Sequence, residues 1–159
     1  MALDALSEVL WHERSLLELL LFKLEEEQLL LTSGRTRWLA HATREVEAVL
    51  AQIRDAELGR SVEAVAACAA LGVPDGASLA EMADAAPAPW DELLRQHREA
   101  FASLTAEISH LADGNRELLA MSHRATQETL ASLGDTHTYD GAGRSSAGES
   151  GAILVDRTL

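Results

Sequence analysis

From Trp90 to Leu133 apolar residues recur at alternating steps of four and three: Trp90, Leu94, Phe101, Leu104, Ile108, Leu111, Leu118 and Ala125. Residues so spaced share one stripe of an α-helix. At 1.5 Å per residue the run spans roughly 66 Å, more than a compact domain of this size needs across its middle. Other elements or a partner must therefore lie along it. The stripe changes character on the way. It is mostly large and apolar as far as Leu111, and then Asn115, Ser122 and Thr129 interrupt it. The far end suits a partner better than a sealed core. Gly134 is expected to stop the helix, leaving a small, polar, glycine-rich tail to Leu159 in which Tyr139 is the only aromatic residue.

Working from the other end, Leu3, Leu6, Leu10, Leu17, Leu20, Leu24 and Leu31 form a heptad-like seam for a first helix over about 3–31, with Glu13 and Glu27 at the missing seam positions. Around Leu16 to Phe22 the apolar residues spread past one stripe, which suggests burial on more than one side, for example by a second copy of the chain. Thr32, Ser33 and Gly34 favour a reversal. A second helix over 35–71 carries Leu39, Ala42, Val46, Val49, Ile53 and Ala56 on one face, with Gly59 inside it, and meets the breakers Gly72, Pro74 and Gly76. Ser78 and Glu81 have capping-box spacing for a short helix over 78–85. Pro87 and Pro89 then precede the long helix, with Asp91 and Glu92 at its positive end. The expected fold is all-α: an antiparallel, coiled-coil-like arrangement of three long helices with one short helix, residues 1–133, followed by a flexible tail over 134–159.

The chain of 159 residues carries 47% apolar residues, enough for one ordinary domain. Its longest apolar-rich run, Leu16 to Leu24, is broken by Glu18 and Lys23 and is too short for a membrane span. An acidic N-terminus with no small-residue cleavage site argues against a secretory signal, so a cytoplasmic protein is expected. A net charge of -13 sets phosphate backbones and anionic membranes against most of the surface, and neither nucleic-acid binding nor membrane insertion is expected. Cys68, the single cysteine, sits in an alanine-rich stretch and reads as a small buried hydrophobe.

Searching the sequence for chemistry finds little. Bundle metal sites need Glu-x-x-His on two helices plus further carboxylates, whereas Glu107 to His110 is the only such spacing and places His110 on the outer side of its helix. His97 falls on the stripe, where a hydrogen-bonded core imidazole is the expectation. There is no nucleophile elbow, phosphate-binding glycine loop, HExxH or zinc-spaced cysteine set. Catalytic residues, cofactor and metal are accordingly not expected. Arg35, Arg37 and Arg44 beside Trp38 form the one basic-aromatic cluster, which reads as an exposed helix start or as contacts to the acidic first helix rather than a phosphate site. Binding is the better class of function, with a self-associating coiled-coil adaptor as the alternative.

The segments Asn115-Arg116-Glu117-Leu118-Leu119, Ala125 to Leu133, and Thr138-Tyr139-Asp140-Gly141-Ala142-Gly143 resemble the C-terminal region of FlgN-type flagellar export chaperones. Those proteins show an Asn-x-x-Leu-Leu helix, a short polar link and a Tyr-Gly-x-x-Gly element. The leucine-rich first helix and glycine-centred turn are also similar to that family. The resemblance implies a cytoplasmic, non-enzymatic chaperone that holds the hook-filament junction proteins FlgK and FlgL and delivers them to the export gate protein FlhA. It implies contacts to the subunit from Asn115, Leu118, Leu119, Ser122, Thr126, Leu130 and Leu133, and gate docking through Tyr139 and Gly143. Asp140 stands where the family's first glycine is usual.

Overall fold

The structure, a computed structural model, describes the backbone of residues 1–137 and the side chains of residues 1–134. The Tyr139 and Gly143 expectations, and nearly all of the expected tail, lie outside the described residues. Helix α1 covers Ala2–Thr32, α2 Leu39–Leu71, α3 Leu79–Ala85 and α4 Trp90–His137, with a single 3-10 turn at Thr36–Trp38. Among the described residues there is no strand, and the fold is the all-α arrangement of three long helices and one short one that the stripes imply.

The reversal after α1 turns on Gly34, whose φ of 71° is a left-handed conformation that costs glycine nothing. Arg35 follows with a non-helical backbone (φ -84°, ψ 59°), so residues 36–38 close a tighter turn and α2 begins at Leu39, not at the expected residue 35. At its other end α2 stops on Gly72 (φ 69°), and the Val73 N–H reaches back to the Cys68 carbonyl at 3.1 Å. That bond satisfies a carbonyl the helix end would otherwise orphan. The expected capping box forms at α3: the Glu81 N–H donates to Ser78 Oγ at 3.2 Å and the Ser78 N–H to Glu81 Oε2 at 2.7 Å. The Ser78 N–H, and after it the Ser78 hydroxyl donating to Glu81 Oε2 at 2.8 Å, hold the Glu81 carboxyl below its ordinary range.

The chain divides into two units, Met1–Arg116 and Glu117–Leu159. The first holds two apolar clusters. One joins Leu6 and Leu10 of α1 to Ala67 and Cys68 of α2, Met82 and Ala83 of α3 and Leu94 of α4. The other joins Leu16, Leu20 and Leu24 to Val46, Val49 and Ile53, with Ile108 and Leu111 packed against it. The start of α1 thus meets the end of α2 and the start of α4. Helix α2 runs antiparallel to α1, and α4 returns parallel to it. Cys68 is buried, as its neighbours suggest.

In the second unit α4 does not stop at Gly134 but continues to His137. Positive φ occurs at Gly34, Gly72 and Gly76 and not at Gly134. A glycine held in right-handed helical geometry costs a helix about 1 kcal/mol relative to alanine without ending it.

Candidate partner-binding site

The residues expected to meet a partner lie mostly in the second unit, where the helix offers them to solvent. Leu118 and Leu119 are half-buried, and from Ala120 to Gly134 every side chain is exposed. Leu130 is 63% and Leu133 54% exposed. At 100° per residue, Leu118, Ser122, Ala125, Thr129 and Leu133 fall within about a quarter of the helix circumference, and Thr126 and Leu130 border it. Glu117, Arg124 and Glu128 fall on the opposite face by the same spacing. The stretch is amphipathic, yet its apolar side is uncovered.

That side is less polar than its composition reads. The Thr126 hydroxyl donates to the Ser122 carbonyl at 3.0 Å, and the Thr129 hydroxyl to the Ala125 carbonyl at 2.9 Å. Hydroxyls turned onto their own helix are already satisfied, which leaves the threonine methyl groups for an incoming surface. Ser122, Ala125, Thr126, Thr129 and Leu130 line a shallow groove of about 330 Å³. Most helical stability comes from tertiary packing of an amphipathic face, so a partner helix laid in this groove would stabilise a stretch whose side chains are exposed from Ala120 to Gly134.

Asn115, which the sequence groups with the partner-facing residues, is turned inward within the first unit and is 1% exposed. Its Nδ2 donates to the Leu24 carbonyl at 2.9 Å and to Glu27 Oε1 at 3.1 Å. The other Glu27 oxygen accepts from the Thr43 hydroxyl at 3.1 Å. One buried carboxylate on α1 therefore ties α2 and α4 together. A carboxylate in the interior needs donors, and Asn115 supplies one.

Two more ionisable groups lie inside the first unit. Glu13 is buried with Arg60 Nε at 3.3 Å from its Oε2, and burial, opposed by Arg60, raises its pKa. His97 is 1% exposed, edge-on to Trp11 at 4.8 Å between ring centroids and stacked with Phe101 at 6.3 Å. Neither ring nitrogen has a hydrogen-bond partner, because its neighbours are rings rather than acceptors. Burial, and then the charge of Arg14, push its pKa down, so it packs as a neutral aromatic group. The core position agrees with expectation and the hydrogen bond does not.

Glu107 and His110 are both exposed, and among the described residues no three His, Cys, Asp or Glu side chains gather as a metal-binding group. No helix among the described residues is long and apolar enough to cross a membrane.

A family model described as FlgN protein matches residues 1–148, nearly the whole chain. The chain belongs to the FlgN family. No curated protein and no solved structure matches it. As a FlgN-family protein it is a flagellar export chaperone whose partners are flagellar export proteins, and the family is one of chaperones rather than enzymes. The match includes Tyr139 and Gly143 and ends before Ile153.

The Asn115, Glu27 and Thr43 junction is what the sequence reading missed. Its signal was present: Glu27 and Asn115 are each a polar residue at a seam position of an otherwise apolar stripe, on helices that pack together. Two such gaps at one level invite pairing.

Proposed function

We propose that this chain is a cytoplasmic chaperone for the hook-filament junction proteins FlgK and FlgL, which it holds on the second half of α4 and hands to the export gate protein FlhA. The uncovered apolar face from Leu118 to Leu133, where the Thr126 and Thr129 hydroxyls are already satisfied by their own helix, carries this reading. Leu118, Leu119, Ser122, Thr126, Leu130 and Leu133 form the subunit-binding face, and Asn115 fixes α4 against α1 at the margin of that face. Tyr139 and Gly143 form the gate-docking element. An exposed face that is apolar but short gives modest affinity and easy release, as a carrier requires.

Titration calorimetry of the full chain with purified FlgK and FlgL tests the assignment. Replacing Leu130 or Leu133 by alanine removes about 1–2 kcal/mol of burial on binding, near tenfold in Kd each. Undiminished binding by the double variant would sink it. Tyr139→Ala should weaken capture by FlhA and leave subunit binding unchanged.

One observation favours a second reading, a homodimer acting as an adaptor. Trp11, Phe22 and Leu29 are exposed and, by helical spacing, share the face of α1 opposite its buried seam. Sedimentation equilibrium that gives a dimer, broken by Phe22→Glu, together with failure to bind either junction protein, would select it.

A further inference from the structure

The turn between α1 and α2 carries a feature that subunit binding leaves unused. From Gln28 to Arg44 the chain has three arginines and no carboxylate, in a molecule of net charge -13. Arg35 precedes the 3-10 turn, Arg37 lies within it, and Arg44 follows on the first turns of α2. All three are exposed, and among the described residues none is ion-paired. The nearest acids are engaged elsewhere. Glu27 holds Asn115 and Thr43, while Glu26 and Glu45 both hold Lys23, Glu45 at 3.0 Å. His41 pairs with Glu45 at 3.3 Å. Glu47 makes no ion pair with Arg44. Lys23 thus pairs with Glu26 of α1 and Glu45 of α2, while the arginines stay open to solvent.

Two of these arginines are also held in place. The Arg37 guanidinium lies over the Trp38 ring, 4.7 Å from its centroid. Arg44 Nε donates to the Ala40 carbonyl at 3.2 Å, which draws its head back toward the turn. Gly34, Arg35, Thr36, Arg37 and Trp38 line an open depression of about 460 Å³, and Trp38 is 51% exposed. A guanidinium stacked on an indole keeps its edge donors available and has little freedom left to lose on binding.

We infer that this corner is a second docking surface, which takes an acidic segment of a partner protein: carboxylates on the Arg35 and Arg37 forks, and an apolar side chain against Trp38. Planar forks match carboxylates in pairs. Three cations give little purchase on a nucleic acid, whose affinity grows with the number of phosphates neutralised, and the acidic remainder of the chain opposes polyanions and anionic bilayers alike. A short acidic segment that reaches only the corner escapes most of that repulsion, because charges beyond about 8 Å are screened in physiological salt. This surface lies in the first unit, and none of its residues belongs to the subunit-binding face proposed on α4.

The test is fluorescence anisotropy with the full chain and a labelled short peptide of Asp and Glu carrying two phenylalanines. Saturable binding is expected, weakened about tenfold or more when salt rises from about 0.05 M to about 0.5 M. The Arg35→Glu/Arg37→Glu variant should lose binding about tenfold or more, and Arg37→Lys, which keeps charge but not the fork, should lose less. Trp38→Ala should weaken binding, and Leu130→Ala/Leu133→Ala should leave it unchanged. The inference is overturned if the Asn/Gln version of the peptide binds equally, or if charge reversal has no effect while circular dichroism shows the variant folded. It is also overturned if phosphatidylglycerol vesicles or single-stranded DNA bind the corner and the peptide does not.

Discussion

Replacing Asn115 by alanine should destabilise the first unit far more than loss of a surface amide would. The side chain donates to Glu27 and to the Leu24 carbonyl from a position that is almost wholly buried. A hydrogen bond to a charged group contributes about 2 kcal/mol and one to a neutral carbonyl about 1, so the substitution should cost about 3 kcal/mol. With a urea dependence of about 1.5 kcal/mol per molar, the midpoint should fall by about 2 M. Thr43 still donates to the carboxylate, which keeps the loss short of that for a wholly unpaired buried charge. The partner control removes both polar groups: Asn115→Leu with Glu27→Leu leaves no orphaned carboxylate and should recover most of the lost stability. Urea denaturation followed by circular dichroism measures Asn115→Ala beside the cycle of Asn115→Leu, Glu27→Leu and the double variant. Asn115 Oδ1 has no partner of its own, so the junction rests on the Nδ2 donor. A loss below about 1 kcal/mol for Asn115→Ala, or strict additivity in the double variant, would refute the view that this donor holds the buried Glu27 carboxylate.

Other expected outcomes follow from burial and caps. Leu10→Ala, at a fully buried site joining α1 to α2, α3 and α4, should cost about 3 kcal/mol in the same assay, whereas Leu130→Ala should change stability by less than about 0.5 kcal/mol. Ser78→Ala removes the side-chain acceptor of the α3 cap and should cost about 1 kcal/mol. The His97 pKa lies below its unfolded value of 6.5, so as pH falls through that value the unfolded chain takes up a proton that the folded chain refuses, and stability falls. Glu13 acts with the opposite sign. Its folded pKa lies above 4.5, so acidification through that interval favours the folded chain. His97→Leu should therefore flatten the decline in urea midpoint between about pH 7 and about pH 5, and an unchanged pH profile would contradict the buried neutral imidazole.

The helices were legible because their stripes are long and their breakers strong. Gly72 and Gly76 with Pro74 leave α2 no way to continue, and Ser78 with Glu81 marks the α3 cap in four residues. Gly134 misled because glycine ends a helix by adopting positive φ, which its neighbours did not impose. The α2 start slipped to Leu39 because a local backbone choice at Arg35 left no trace in apolar spacing. Leu130 and Leu133 stand out as apolar positions in the spacing, and among the described residues both are exposed. Asn115 could not be assigned from its own helix, because its acceptor lies 88 residues earlier in the chain. The Arg35 and Arg37 corner was visible as composition, but its exposure was not, because the pairing of Lys23 with Glu45 joins residues on different helices that spacing along one helix does not relate.

The separation of the chain at Arg116 has a practical consequence for finding ligands. Both apolar clusters are complete before that point, so a melting signal that reports exposure of the core reports ligands of the first unit most directly. A molecule gripped wholly by residues after Arg116 would leave a dye-based melting curve where it was, and a screen relying on that readout would discard true binders. Helicity measured at 222 nm, or amide exchange resolved over the last turns of α4, would register them.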